Sequence, residues 1–130
     1  MNWIYFYKTE YRKTLENFNQ LRKSDFDKKL LCKEYSNLIN TSCELIKLFI
    51  NYQGLFQFVN REIIKEAFYV GIIKDGERWI NALTLAEVNS SGEEKFNNLM
   101  LSYCKDENFV IFEDLNITFK KYTEEYEQNS

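Results

Sequence analysis

Residues 60–93 read NREIIKEAFYVGIIKDGERWINALTLAEVNSSGE. Helix, turn, helix accounts for the pattern. Ile63, Ile64, Ala67 and Phe68 fall at the spacings of one helical face, so the stretch from Arg61 to Val70 is expected to be a helix with these four residues inward. Asn60 stands where a capping side chain belongs. Gly71 ends or bends the helix, because glycine tolerates backbone angles that other residues resist. Asp75-Gly76 reads as a turn. A second helix over residues 77–88 places Trp79, Ile80, Leu83 and Ala86 on overlapping faces. Ser91-Gly92-Glu93-Glu94 has a serine three residues ahead of a glutamate, the spacing of a capping box, and predicts a further helix start.

On the N-terminal side, Ile4, Tyr7, Tyr11, Leu15, Phe18 and Leu21 recur by threes and fours and predict a helix over residues 3–23. Ser24 ahead of Asp25-Phe26-Asp27 reads as the next helix start, with negative charge in its first turn. Leu31, Tyr35, Leu38, Ile39, Ile46, Phe49 and Ile50 form the stripe of a long helix over residues 26–53. Leu45 and Leu48 broaden that stripe, so this helix needs neighbours on more than one side. Gly54 suits its C-terminal cap, and Leu55–Val59 reads as a packed connection. On the C-terminal side, Phe96, Leu99, Met100 and Tyr103 predict a helix over residues 92–104. A weak break at 105–108 precedes a last helix carrying Phe109, Phe112, Leu115, Phe119, Tyr122 and Tyr126, with residues 127–130 fraying. The expectation is an all-α protein: one domain over residues 1–130, an up-and-down bundle of five to six helices.

Composition agrees with that expectation. The chain has 130 residues, 45% of them hydrophobic, with no proline and four glycines, which favours long helices and short connections. Aromatic residues make up 17%. Asn, Lys and Ile are also abundant, a mixture that a codon bias produces, so the aromatics are not read as a stacking surface. The net charge of −3 and the pI near 5.1 weigh against a general nucleic-acid-binding role. The charge is uneven: residues 1–34 hold eight basic and five acidic residues, and residues 91–130 hold four basic and nine acidic. Two readings stay open, solvated helix faces or a partner surface with a polarity. Cys32, Cys43 and Cys104 are an odd set without metal-ligand spacing, and no histidine is present to help them. Free thiols in a reducing cytoplasm are expected, with no metal and no cofactor. The start, MNWIYFYKTEYRK, lacks the parts of a signal peptide, and no apolar run is long enough to span a membrane.

Arg61-Glu62-Ile63-Ile64, Glu66-Ala67-Phe68, Gly71-Ile72-Ile73, Asp75-Gly76 and Trp79, together with Cys43-Glu44-Leu45-Ile46 and Tyr52-Gln53-Gly54, resemble one small helical family. It is the nucleotidyltransferase substrate-binding branch of the HEPN superfamily, similar to the HEPN partners of minimal nucleotidyltransferases in toxin–antitoxin pairs. The resemblance runs from Tyr11 to Tyr122. It implies an HEPN-like bundle, a twofold dimer and a nucleotidyltransferase partner. Ribonuclease members carry Arg-Asn-x-x-x-His-x-Tyr shortly after the tryptophan. Counted from Trp79, Ala86 falls at the arginine, Glu87 at the asparagine, Ser91 at the histidine and Glu93 at the tyrosine. Histidine moves protons near neutral pH and arginine steadies charge on a phosphate. Ala86 and Ser91 do neither, and Glu87 and Glu93 repel an anion. The tyrosine of this family resembles an acceptor for nucleotidyl transfer, and Glu93 has no hydroxyl to serve as one.

Lys74, Arg78 and Trp79 form a candidate cation-plus-aromatic shelf for a nucleotide; the alternative is a core tryptophan with surface cations. Glu93-Glu94 resembles a carboxylate pair, but the capping role explains it. The expected function is a non-catalytic substrate-binding or partner subunit for a separately encoded nucleotidyltransferase. The alternative is a degenerate ribonuclease toxin that has lost its active site. Self-association is expected through the stripes of the second and fourth segments, unless those residues are all internal core.

Overall fold

The computed structural model describes residues 2–24, 27–51, 59–89 and 106–129, and its regular structure there is all helix, without a strand. Helix α1 starts as α-helix over Trp3–Phe6, passes through a π-helical turn, Tyr7–Tyr11, and continues over Arg12–Lys23. Helix α2 is Lys28–Asn51, α3 is Asn60–Tyr69, α4 is Gly76–Asn89 and α5 is Asp106–Gln128. The protein is thus a helical bundle, as its sequence predicts. None of the described helices is long and apolar enough to cross a membrane. The expected segment over 92–104, Gly54 with its adjoining connection, the Ser91–Glu94 capping box and Cys104 lie outside the described residues.

The π-helical turn has a packing reason. Trp3, Tyr7 and Tyr11 are spaced by four, and in an α-helix such a stripe drifts by about 40° per step. One widened i→i+5 turn takes the drift back, so all three rings reach the core, with Tyr11 fully buried. Phe18 continues the face. The Trp3 ring meets Phe49 at 5.1 Å and Phe119 at 5.9 Å, and Phe18 meets Tyr35 at 5.7 Å and Phe109 at 5.9 Å. These pairings set α1 antiparallel to both α2 and α5. From α4, Trp79 meets Phe112 edge-on at 5.2 Å. These rings are therefore part of the core.

Two phenols join α1 to α5 through hydrogen bonds. The Tyr11 hydroxyl donates to the Phe112 carbonyl at 2.9 Å in the buried interior, with Ser42 of α2 beside it. The Tyr7 hydroxyl donates to the Asn116 Oδ1 at 2.8 Å and approaches its carbonyl at 3.1 Å. Burial pushes the Tyr11 phenol far above its ordinary range, so it stays a donor. At the surface, Lys8 pairs with Glu127 at 3.0 Å. Glu127 is therefore helical and paired, where fraying was expected, because α1 lies beside the end of α5.

The ends of the helices follow local hydrogen bonding. Ser24 closes α1 by donating from its hydroxyl to the Leu21 carbonyl at 2.9 Å, so it is an end and not a start. Asp27 opens α2, its Oδ1 accepting from the Lys29 amide at 2.8 Å. Val59, not Asn60, holds the N-cap position of α3, without a side-chain cap; Asn60 is already helical and reaches Asn40 at 3.3 Å. At the other end of α3, Gly71 has φ +87°, its amide donates to the Phe68 carbonyl at 3.2 Å, and the Ile72 amide donates to the Ala67 carbonyl at 2.8 Å. Those two bonds are the paired closure of a Schellman stop. Asp75 is more than a turn residue: its Oδ1 accepts from the Arg78 amide at 3.1 Å and caps α4. Phe68 points outward at 54% exposure, against expectation, because its ring lies over Gly76, where a Cβ would come within 3.2 Å of it.

The apolar stripes of α2 and α4 are consumed inside the chain, with Leu38, Ile39, Leu45, Trp79 and Leu83 all buried. Leu48, Phe49, Ile80 and Leu85 beside them are partly buried. Cys32 and Cys43 are both buried. Burial, with Glu44 and Glu87 adding, pushes Cys43 up to about 12, so it stays a protonated, unreactive core residue.

Tyr11→Phe removes the buried bond to Phe112 without changing the ring. The expected loss is about 1 kcal/mol of stability, read from the midpoint of urea unfolding at unchanged slope.

Candidate functional site

Two regions hold the residues singled out from the sequence. The first is the end of α4. Ala86 is 7% exposed there, its methyl turned into the core. Glu87, next along the helix, faces solvent and accepts from Arg61 of α3 at 3.1 Å. Arg61 also donates to the Thr84 hydroxyl at 3.2 Å, and that hydroxyl donates in turn to the Ile80 carbonyl at 2.8 Å. The cation at this corner thus arrives from α3 and is held by a carboxylate and a hydroxyl. Ser91 and Glu93 lie outside the described residues.

The second region is a cleft of about 170 Å³ between the turn after α3, the start of α4 and one face of α5. Lys74 and Trp79 both line it, so the structure brings these two predicted residues together. Trp79 is only 2% exposed, so it forms the base of the cleft and offers no open ring face. Arg78 does not line the cleft: its guanidinium turns back to Asp75 at 3.3 Å. The nucleotide shelf of three residues is not assembled, and the core-tryptophan reading of Trp79 holds. Asp114 and Thr118, one helical turn apart on α5, complete the rim. No local sequence pattern marks them, because they join Lys74 only through the docking of α5 on α4.

Chemically, this is a small apolar recess with one ammonium and two carboxylates, Asp75 and Asp114, at its mouth. Among the described residues no cluster of three or more His, Cys, Asp or Glu is placed to hold a metal ion. Neither described cysteine is activated, since burial raises both thiols. Of the charges at the mouth, Asp75 is paired with Arg78 outside the recess. No protein-family model matches the chain, and no curated protein matches it.

Ala86→Arg forces a long cation into a site filled by a methyl group. The expected cost is about 1–3 kcal/mol, limited by the freedom of the guanidinium to reach solvent. Thermal unfolding of the variant beside the parent measures it.

Proposed function

We propose that this chain is a non-catalytic binding subunit of the HEPN kind that docks a separately encoded nucleotidyltransferase. The observation that carries the reading is the end of α4. There a buried alanine stands at the arginine position, and a glutamate held by Arg61 stands at the asparagine position, in a chain without histidine. Such a corner supplies neither a proton carrier nor a free cation for a phosphate. What remains is a helical scaffold with exposed apolar residues at the end of α3, where Tyr69 is 84% and Val70 51% exposed. Large apolar side chains left in water beside a rigid turn suit a protein contact. A twofold pairing through the faces of α2 and α4 belongs to this reading as well, with burial of those stripes inside the chain as its alternative.

The second reading, a degenerate ribonuclease toxin, is favoured by the same replaced positions and differs in having no nucleotidyltransferase to bind. Co-expression with the nucleotidyltransferase from a neighbouring reading frame separates them. The expected result is co-elution from size exclusion, lost in Tyr69→Glu/Val70→Glu, and no cleavage of total RNA by the chain alone. Each missing catalytic group accounts for about 10²–10⁴-fold of rate. Stable folding without co-elution would leave the degenerate-toxin reading. Cleavage that follows the protein through successive columns would overturn both.

A further inference from the structure

A second cleft, of about 550 Å³, lies between α1 and α5 and shares no lining residue with the cleft at Trp79. Lys8, Arg12, Lys13, Leu15, Glu16 and Asn116 line it. Lys8 belongs to the π-helical turn, and Arg12 follows it directly. The turn that carries the aromatic stripe into the core thus also sets the positions of Lys8 and Arg12, and such turns are frequent at functional sites.

The polar groups of this cleft are mostly donors. Neither Arg12 nor Lys13 has a carboxylate partner among the described residues; the Arg12 guanidinium rests over the Tyr7 ring at 6.0 Å. Asn116 Oδ1 accepts the Tyr7 hydroxyl at 2.8 Å, which fixes the carboxamide and leaves its NH₂ group as the end available to the cleft. Lys8 is shared with Glu127 at 3.0 Å. The one carboxylate of the lining, Glu16, already accepts from Gln20 at 3.0 Å. Donors and cations thus converge in a chain whose net charge is −3.

We propose that this cleft is a binding site for a small ligand bearing a phosphate or diphosphate group. Arg12 offers the two-pronged donor geometry that phosphate oxygens accept, Lys13 adds a point charge, and the held NH₂ of Asn116 supplies a directed neutral donor. A nucleic-acid track is disfavoured because the cations are confined to six residues of one helix, where a strand needs a basic stripe. The site stands apart from the proposed partner-docking surface and does not depend on it.

The test is a titration of the full chain with sodium pyrophosphate, followed by amide and side-chain NH₂ resonances. Saturable shifts are expected at Lys8, Arg12, Lys13 and the Asn116 carboxamide. Affinity should fall about tenfold or more in Arg12→Gln/Lys13→Gln, whose unshifted core resonances report an intact fold. Lys120→Gln/Lys121→Gln removes the same charge from α5 outside the cleft and should leave the affinity unchanged. Absence of saturation, or an equal loss in the two double variants, would overturn the proposal. So would tighter binding of a short RNA oligonucleotide than of pyrophosphate.

Discussion

The hydrogen bond from the Tyr11 phenol to the Phe112 carbonyl joins residues 101 positions apart in a fully buried interior. Leaving a phenol in that setting without a partner is unfavourable, because an unsatisfied buried donor costs about 1–3 kcal/mol. The bond therefore fixes both the axial register and the rotation of α5 against α1. The other contacts between α1 and α5 agree with that register. Phe18 reaches Phe109, Tyr7 reaches Asn116 and Trp3 reaches Phe119 only if Tyr11 faces Phe112. The π-helical turn is the backbone's accommodation to the same demand: three aromatic residues spaced by four on one straight face.

That register also builds the two clefts. With α5 fixed, Asp114 and Thr118 face the turn after α3 and enclose the recess over Trp79, while Asn116, between them in sequence, faces α1 and completes the donor-rich cleft. One helix thus serves two separate surfaces with different chemistry, one apolar with mixed charge at its mouth and one cationic. The Schellman stop at Gly71 has a comparable effect at the far side, since it turns the chain into α4 and leaves Tyr69 and Val70 in solvent.

The helices could be read from the residues because apolar periodicity is a direct trace of burial. Tyr7, Tyr11, Phe18, Leu38, Ile39 and Phe112 were expected inward and are. The reading failed where a second constraint outranked the periodicity. Phe68 has the spacing of a core residue, yet Gly76 offers its ring a surface groove. Ser24 resembles a start, yet the Leu21 carbonyl is its nearer partner. The candidate site was half visible: Lys74 and Trp79 do share a recess, but Arg78 is drawn away by Asp75, four-fifths of a turn back on its own helix start. Asp114, Thr118 and the cleft beneath Arg12 come from elements brought together in three dimensions, and no linear spacing announces them.

Pinned through Tyr11, α1 and α5 are expected to behave as one cooperative unit. Native-state hydrogen exchange followed by mass spectrometry measures this most directly. Peptides spanning Tyr7–Phe18 and Phe109–Phe119 should fall in the same slowest-exchanging class and move together as urea is added. Rapid exchange of the first segment while the second stays protected would show that α1 opens on its own, and would contradict the register on which the bundle and both clefts depend.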